Sequence, residues 1–319
     1  MVKNRNLKYL SAFVTVKRGG ENMQPRERCW IVGAGAVGSV LAAILHQNRT
    51  IETCLVGSSV HAKEIQKNGL LFQIVDHKQS TVPVRVISPD QVPILEKRDI
   101  VLMTTKMPLL DRTLLWLRPR CGPEVGVIAL QNGIGPEEII AHGLDRPVDR
   151  GLVFFGANSP SPGKVRYFPG TIRLRPSAVT ETLCNLLKGS AVKCGLAKNF
   201  REMEWFKLAI NCIANPFAGI LNAGNRQIAQ DVLNPAKELV LSEVRRVAEA
   251  EGVSIDITVK EMNRYLDSDN VPSLKADLDR EMPTEIDVLN GAVIHLGKRH
   301  GISTPINRLL VSMVKFLES

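Results

Sequence analysis

Cys29-Trp30-Ile31-Val32-Gly33-Ala34-Gly35-Ala36-Val37-Gly38 is the stretch on which the fold turns. Cys29–Val32 is a short apolar run of the kind that forms a buried strand. Three glycines follow in the spacing GxGxxG, and Ser39–Gln47 then puts Leu41, Ala42 and Leu45 on one side of a predicted helix. Strand, glycine turn and helix in that order is what a dinucleotide fold requires. Gly33 permits the tight turn, Gly35 lets the backbone approach a pyrophosphate, and Gly38 lets the helix pack closely on the strand. Ala34, Ala36 and Val37 fill out the loop, and the helix N-terminus turns unpaired N–H groups toward an anion. Gly33, Ala34, Gly35, Ala36, Val37 and Gly38 are therefore the expected cofactor-binding turn.

Working outward, Thr53–Val56 is the second predicted strand, ending at Gly57-Ser58-Ser59. An NAD site usually presents a carboxylate there to the ribose 2′-hydroxyl. None is present, which favours NADP(H), whose 2′-phosphate a carboxylate would repel. No arginine is there to clamp a phosphate either, and only His61 and Lys63 follow, so NAD(H) stays open. Leu70–Val75 and Val82–Val86 read as a pair of short inserted strands. Asp99–Lys106 and Gly126–Gly133 read as buried strands ending in polar residues. Ligands of a doubly wound sheet sit beyond the carboxyl ends of its strands. That places Lys106 and Asn132 as candidate contacts, against the alternative that each merely caps a loop. Gly151–Leu174 reads as the closing edge of the first domain, with strand pieces at Leu152–Gly156 and Lys164–Phe168.

Beyond about Lys198 the periodicity turns helical: Met203–Pro216, Pro235–Glu251, Thr258–Tyr265, Thr284–Lys298 and Pro305–Glu318. Gly252 and Gly301 read as helix stops. The expected architecture is α/β: a Rossmann-type dinucleotide-binding domain over 29–197, then an all-helical domain over 198–319. In the first of these helices Lys207, Asn211 and Asn215 are spaced four apart, so they stack along one side with a drift of roughly 40° per step. A lysine and two amides among Trp205, Phe206, Leu208, Ile210 and Ile213 are costly to bury without partners. The stripe faces either water or a pocket that holds a polar ligand.

The chain of 319 residues carries a net charge of +9. Residues 1–28 hold seven Lys/Arg and two Glu, a net +5, which leaves only +4 for the rest. That is too mild for a nucleic-acid partner, which calls for a basic stripe on a recognisable module. The basic arm 1–28 is expected to be disordered, or an upstream-extended start with Met23 as the alternative, rather than a targeting segment. No apolar run approaches the roughly 20 residues of a membrane span. The six cysteines form no CxxC pair and no metal spacing, which suits reduced thiols and a cytoplasmic protein. There is no GxSxG elbow and no HExxH, so hydrolase and zinc chemistry have no footing.

Gly33–Gly38, Thr105-Lys106, Gln131-Asn132-Gly133-Ile134-Gly135, Lys207…Asn211…Asn215-Pro216 and Pro272-Ser273…Thr284-Glu285-Ile286-Asp287…Asn290-Gly291 occur in an order that resembles the ketopantoate reductases, also called 2-dehydropantoate 2-reductases. The likeness runs from about Cys29 to Ser319. The glycine turn is shared with many dehydrogenases, whereas the Lys207 helix and the Ser273–Asp287 segment are far more specific. The resemblance implies a two-domain enzyme, monomeric or homodimeric, that reduces the ketone of 2-dehydropantoate to (R)-pantoate with NADPH. It implies Lys207 as catalytic lysine and Glu285 as essential carboxylate. It further implies Asn211, Asn215 and Ser273 as substrate contacts, and Lys106 and Asn132 as residues lining the cofactor and the cleft. Many members carry an arginine where this chain has Gly57-Ser58.

The chemistry is consistent with these residues. Hydride delivered to a ketone carbon leaves negative charge growing on the oxygen, which must be stabilised and protonated. A lysine ammonium does both, and amides and a hydroxyl orient the substrate without adding charge. Glu285 is expected to hold the lysine by an ion pair or to accept from a substrate hydroxyl. It is also expected to sit in the first turn of a helix, where an acid suits the macrodipole. Two other functions fit the same residues: reduction of a different branched 2-oxoacid, and a non-catalytic NADP(H)-binding regulator.

Overall fold

The computed structural model describes residues 27–319; most of the basic arm lies outside the described residues. Strand β1 (Glu27–Val32) begins two residues earlier than expected, because Arg28 is fixed by a fork of hydrogen bonds to Asp99 (both 2.7 Å). Then come α1 (Ala36–Leu45), β2 (Ile51–Val56), α2 (Val60–Asn68), β3 (Leu70–Ile74), β4 (Ser80–Val82) and β5 (Arg85–Ile87). They are followed by β6 (Asp99–Met103), α3 (Leu110–Leu117), β7 (Gly126–Ala129), α4 (Pro136–Leu144), β8 (Asp149–Asn158), β9 (Lys164–Leu174), α5 (Ala178–Leu186) and β10 (Lys193–Leu196).

These strands make one sheet in the order β4-β3-β9-β8-β7-β6-β1-β2-β5, with β10 also on β9. From β8 to β5 every neighbouring pair is parallel. Side chains alternate between its faces with period two. Cys29, Ile31, Leu55, Leu102 and Ile128 meet α1, α2 and α5 on one face. Trp30, Val32, Val56, Val101, Met103 and Val127 meet α3 and α4 on the other. Covering on both faces is why these strands are apolar throughout.

Two strand expectations are corrected. Val82–Val86 is not one strand: Pro83 lies between β4, antiparallel to β3, and β5, parallel to β2 at the far edge. Proline lacks the N–H a continuing ladder needs. Nor do the strands of Gly151–Leu174, expected to close the first domain, stand at an edge: β8 and β9 lie inside the sheet, and β9 carries β3 and β10.

The helical half consists of α6 (Phe200–Ile220), α7 (Asn225–Ile228), α8 (Asn234–Ala250), α9 (Val259–Leu266), α10 (Ser273–Leu278), α11 (Asn290–Arg299) and α12 (Pro305–Leu317). Helix α6 is its axis, with Trp205, Leu208, Cys212 and Ile213 packed against Val240, Val244 and Val247 of α8. Pro216 lies inside α6 and cannot bond the carbonyl of Cys212. The side chain of the fully buried Asn290 takes that carbonyl instead (2.9 Å), and Asn290 also donates to Asn307 (2.9 Å), which donates to Glu243 (2.7 Å). A third correction falls here: Thr284–Lys298 is not continuous helix. A 3-10 turn at Ile286–Val288 ends at Leu289, whose φ of −103° and ψ of −95° break the run before α11. No described helix is long and apolar enough to cross a membrane.

Candidate active site

The glycine turn is shaped by contacts with the next strand end. Gly33 has φ +119°, and a Cβ there would lie 2.5 Å from the backbone nitrogen of Thr105. Thr104 donates its hydroxyl to the carbonyl of Gly33 (2.9 Å) and Thr105 to that of Val32 (3.0 Å), so the β6 end braces the turn. A Cβ on Gly38 would run into the carbonyl of Gly33, whereas one on Gly35 would meet nothing within 4 Å. No side chain caps the N-terminus of α1 among the described residues. Open space over Gly35 beside uncapped N–H groups fits the pyrophosphate of a dinucleotide.

At the end of β2, Ser59 caps α2 by accepting from the N–H of Ala62 (3.2 Å). His61 is a structural tie: its Nδ1 accepts from the N–H of Gly163 (3.0 Å) and its Nε2 meets Ser39 Oγ (3.0 Å). Burial pushes its pKa down, with Arg280 adding to the effect. Lys63, the other basic residue near this strand end, is exposed.

Helix α6 carries the polar stripe into the interior. Lys207 is only 8 % exposed, and its Nζ has no hydrogen-bond partner among the described residues. The ammonium lies 5.8 Å from the centroid of the Phe154 ring. Burial is the main cause that lowers its pKa to about 7; Arg150 pushes the same way, while Glu285 and Glu204 oppose it. Asn211 is half-buried one turn on. Asn215 Oδ1 accepts from Ser273 Oγ and from the N–H of Leu274, both at 3.2 Å. Asn215 thus holds the start of α10, and two of the expected substrate contacts are bonded to each other.

Glu285, buried, precedes the 3-10 turn rather than opening a helix, so the macrodipole reading does not hold. It makes no direct ion pair with Lys207. Its carboxylate instead accepts from Asn132 Nδ2 (3.1 Å) and from the N–H of Met107 (3.4 Å). Gly133 makes this approach possible: its φ is +93°, and a Cβ would lie 2.6 Å from the carbonyl of Val288. Thr284, the neighbour of Glu285, donates its N–H to Glu318 beyond the end of α12 (2.8 Å). Lys106, from the β6 end, is ion-paired with the buried Asp277 of α10. Burial pushes Asp277 up and Lys106 opposes it.

One group escaped the sequence reading. Arg150 of β8 is fully buried and donates to Glu204 (3.1 Å) and to the carbonyls of Ala129 (3.2 Å), Gly151 (2.7 Å) and Gly133 (2.9 Å). Glu137 lies 3.2 Å from it and is itself paired with Arg175 (2.6 Å). The available signal was a charge in an apolar strand, and Glu204 three residues before Lys207 on an apolar helix.

Of two surface hollows of about 450 and 350 Å³, one is lined by Pro305 and Arg308 and the other by Phe206, Arg264 and Tyr265. Lys207 lines neither.

The family profile described as ketopantoate reductase PanE/ApbA matches residues 29–177, and the one for its C-terminal part matches 199–318. The chain is 29 % identical over 308 residues to the 2-dehydropantoate 2-reductase of Lactococcus lactis, covering 90 % of this chain and 96 % of that protein. A PanE/ApbA family ketopantoate reductase from Ralstonia eutropha superposes with a TM-score of 0.81 at 26 % identity, covering 91 % of this chain and 98 % of the other. A D-mandelate dehydrogenase with NADH and anilino(oxo)acetate superposes with a TM-score of 0.82 at 25 % identity and the same coverage.

Proposed function

Because this chain belongs to the ketopantoate reductase family of oxidoreductases, we propose that it reduces the ketone of 2-dehydropantoate to (R)-pantoate with NADPH, a step toward pantothenate and coenzyme A. The cofactor, when bound, supplies the hydride. The observation that carries the reading is the buried Lys207, whose Nζ has no partner among the described residues. Burying such a group costs free energy that folding alone does not recover. A ketone oxygen gaining charge beside it, with a substrate carboxylate nearby, gives it the partner it lacks.

In this reading Lys207 donates the proton to the oxygen of the reduced carbon. Asn211, Asn215 and Ser273 hold the substrate's carboxylate and hydroxyl. Glu285 accepts from a substrate hydroxyl while Asn132 keeps its carboxylate in place. Gly33–Gly38 hold the pyrophosphate, Lys106 and Asn132 line the crevice, and Lys63 meets the 2′-phosphate. Purified protein given NADPH and ketopantoate is expected to oxidise the cofactor. Lys207→Ala is expected to lose about 10²–10⁴-fold in kcat, the range for a general acid, with NADPH still bound in calorimetry. Unchanged turnover in that variant removes Lys207 from the mechanism, and binding without turnover on any 2-oxoacid favours a regulator.

A second substrate has one observation in its favour. Phe154, beside Lys207, continues into Phe206 (centroids 6.3 Å apart) and Tyr265 (5.2 Å further). This aromatic row, with the likeness to a D-mandelate dehydrogenase, suits a 2-oxoacid with a larger apolar side chain. A kcat/KM panel from ketopantoate to phenylglyoxylate separates the two, with NADPH against NADH as its other axis.

A further inference from the structure

We propose that Arg150 is a positioning residue for the Lys207 site: its buried guanidinium ties the loop that carries Asn132 to the turn of α6 just before Lys207, and so sets their separation. The inference rests on the reading of Lys207 as proton donor, but its geometry stands by itself. Nη2 donates to the carbonyl of Gly133, next to Asn132, and Nε donates to Glu204, one turn of α6 before Lys207. Nη1 binds the carbonyls of Ala129 and Gly151, which fix the guanidinium to strands β7 and β8. Asn132 then holds Glu285. One planar group thus spans a strand end and a helix that share no backbone hydrogen-bond ladder. Only arginine has the donors in a fixed fork for this; lysine is a point charge on a flexible stem.

A merely architectural pair needs neither this position nor this charge balance. Facing Lys207 are Arg150 from β8, Glu204 from its own helix, Glu285 from the turn after α10, and the Phe154 ring from β8. Behind Arg150 stand Glu137 of α4 and Arg175. Arg150 favours the neutral amine and Glu204 the ammonium, so moving either charge shifts the titration of Lys207 in a direction that can be stated beforehand.

The test uses two variants of the whole protein. Arg150→Lys keeps the charge and loses the fork; Glu204→Gln keeps an oxygen that accepts from Arg150 and loses the carboxylate. Lys207 is followed by NMR of lysine labelled with ¹³C at Cε, its signal assigned by its absence from Lys207→Met. The midpoint of Lys207 is expected to move up in Arg150→Lys, as the cation withdraws, and down in Glu204→Gln. Simple loosening of the fold moves both upward, toward the solvent value, so an upward or absent shift in Glu204→Gln overturns the proposal. In turnover, Arg150→Lys is expected to lose at least about tenfold in kcat per cofactor-binding site, with the Kd for NADPH within about twofold. A kcat within twofold of the parent also overturns it. If Arg150→Lys fails to fold, Glu204→Ala, which cuts the tie to α6 and leaves Arg150 on the Gly133 carbonyl, is expected to lose at least about tenfold in kcat, and a kcat within twofold of the parent overturns the proposal. If the parent reduces no 2-oxoacid, the reading of function fails, while shifts of the same sign in the two variants still overturn the role of Arg150.

Discussion

Lys207 is a liability to the folded chain, and that gives it a measurable signature. Its pKa falls from 10.5 to about 7, chiefly through burial. Below pH 7 the lysine is charged in both folded and unfolded chains, so the cost of burying the charge is fully present. Between 7 and 10.5 the unfolded chain binds the extra proton, so stability rises with pH, and above 10.5 the cost is gone. A tenfold change in proton affinity corresponds to roughly 1.4 kcal/mol. At pH 6 Lys207→Met is therefore expected to be more stable than the parent by a few kcal/mol. The gain should shrink through pH 7–10 in urea titrations of the cofactor-free protein, and a gain independent of pH would refute the assignment. The same group sets the rate. Reduction needs the ammonium, so kcat/KM, which reports the free enzyme, is expected to fall as pH rises through about 7. A bound substrate carboxylate raises the lysine's pKa, so the limb in kcat should lie at higher pH.

At the scale of elements, α6 shows how a helix tolerates a proline. Pro216 removes the bond to the Cys212 carbonyl, and Asn290 restores it from α11. Asn290→Leu should leave that buried carbonyl unpaired and cost about 1–3 kcal/mol. A loss under a few tenths of a kcal/mol in urea denaturation would show that the carbonyl finds another partner. Asn290, one of the residues that carry the family resemblance, thus has a structural task. What was legible in the sequence follows a similar division. The Gly33–Gly38 turn, the strand ends at Lys106 and Asn132, and the Lys207 stripe depend on local spacing, and spacing is what a sequence displays. Arg150 was not legible because its partners lie at 129, 133, 137 and 204, joined only by the fold. The split of Val82–Val86 depended on which edge each half paired with, although Pro83 stood in view. Glu285 was found by resemblance and misplaced locally, since the break at Leu289 comes from a backbone conformation that nothing in Thr284–Lys298 advertises.

At the scale of the whole molecule, a site whose lysine is 8 % exposed has to admit a 2-oxoacid and then exclude water around it. Across it, contacts join the strand ends to the helical half: Lys106 with Asp277, and Met107 and Asn132 with Glu285. Of these, the ion pair is the one whose acidic partner the proposed chemistry does not use. Asp277 is buried while the Lys106 side chain is 39 % exposed, so screening limits the pair to about 1 kcal/mol. Apparent affinity for a ligand that enters only the open form is reduced by the fraction open. Asp277→Asn should therefore raise the association rate of NADPH by up to about fivefold, the factor that 1 kcal/mol allows. It should leave kcat unchanged or lower, because the cleft must still close to exclude water from the reacting ketone. Stopped-flow quenching of protein fluorescence by NADPH reads the first quantity and steady-state turnover the second. An unchanged association rate would mean that the Lys106–Asp277 pair parts too readily to control entry.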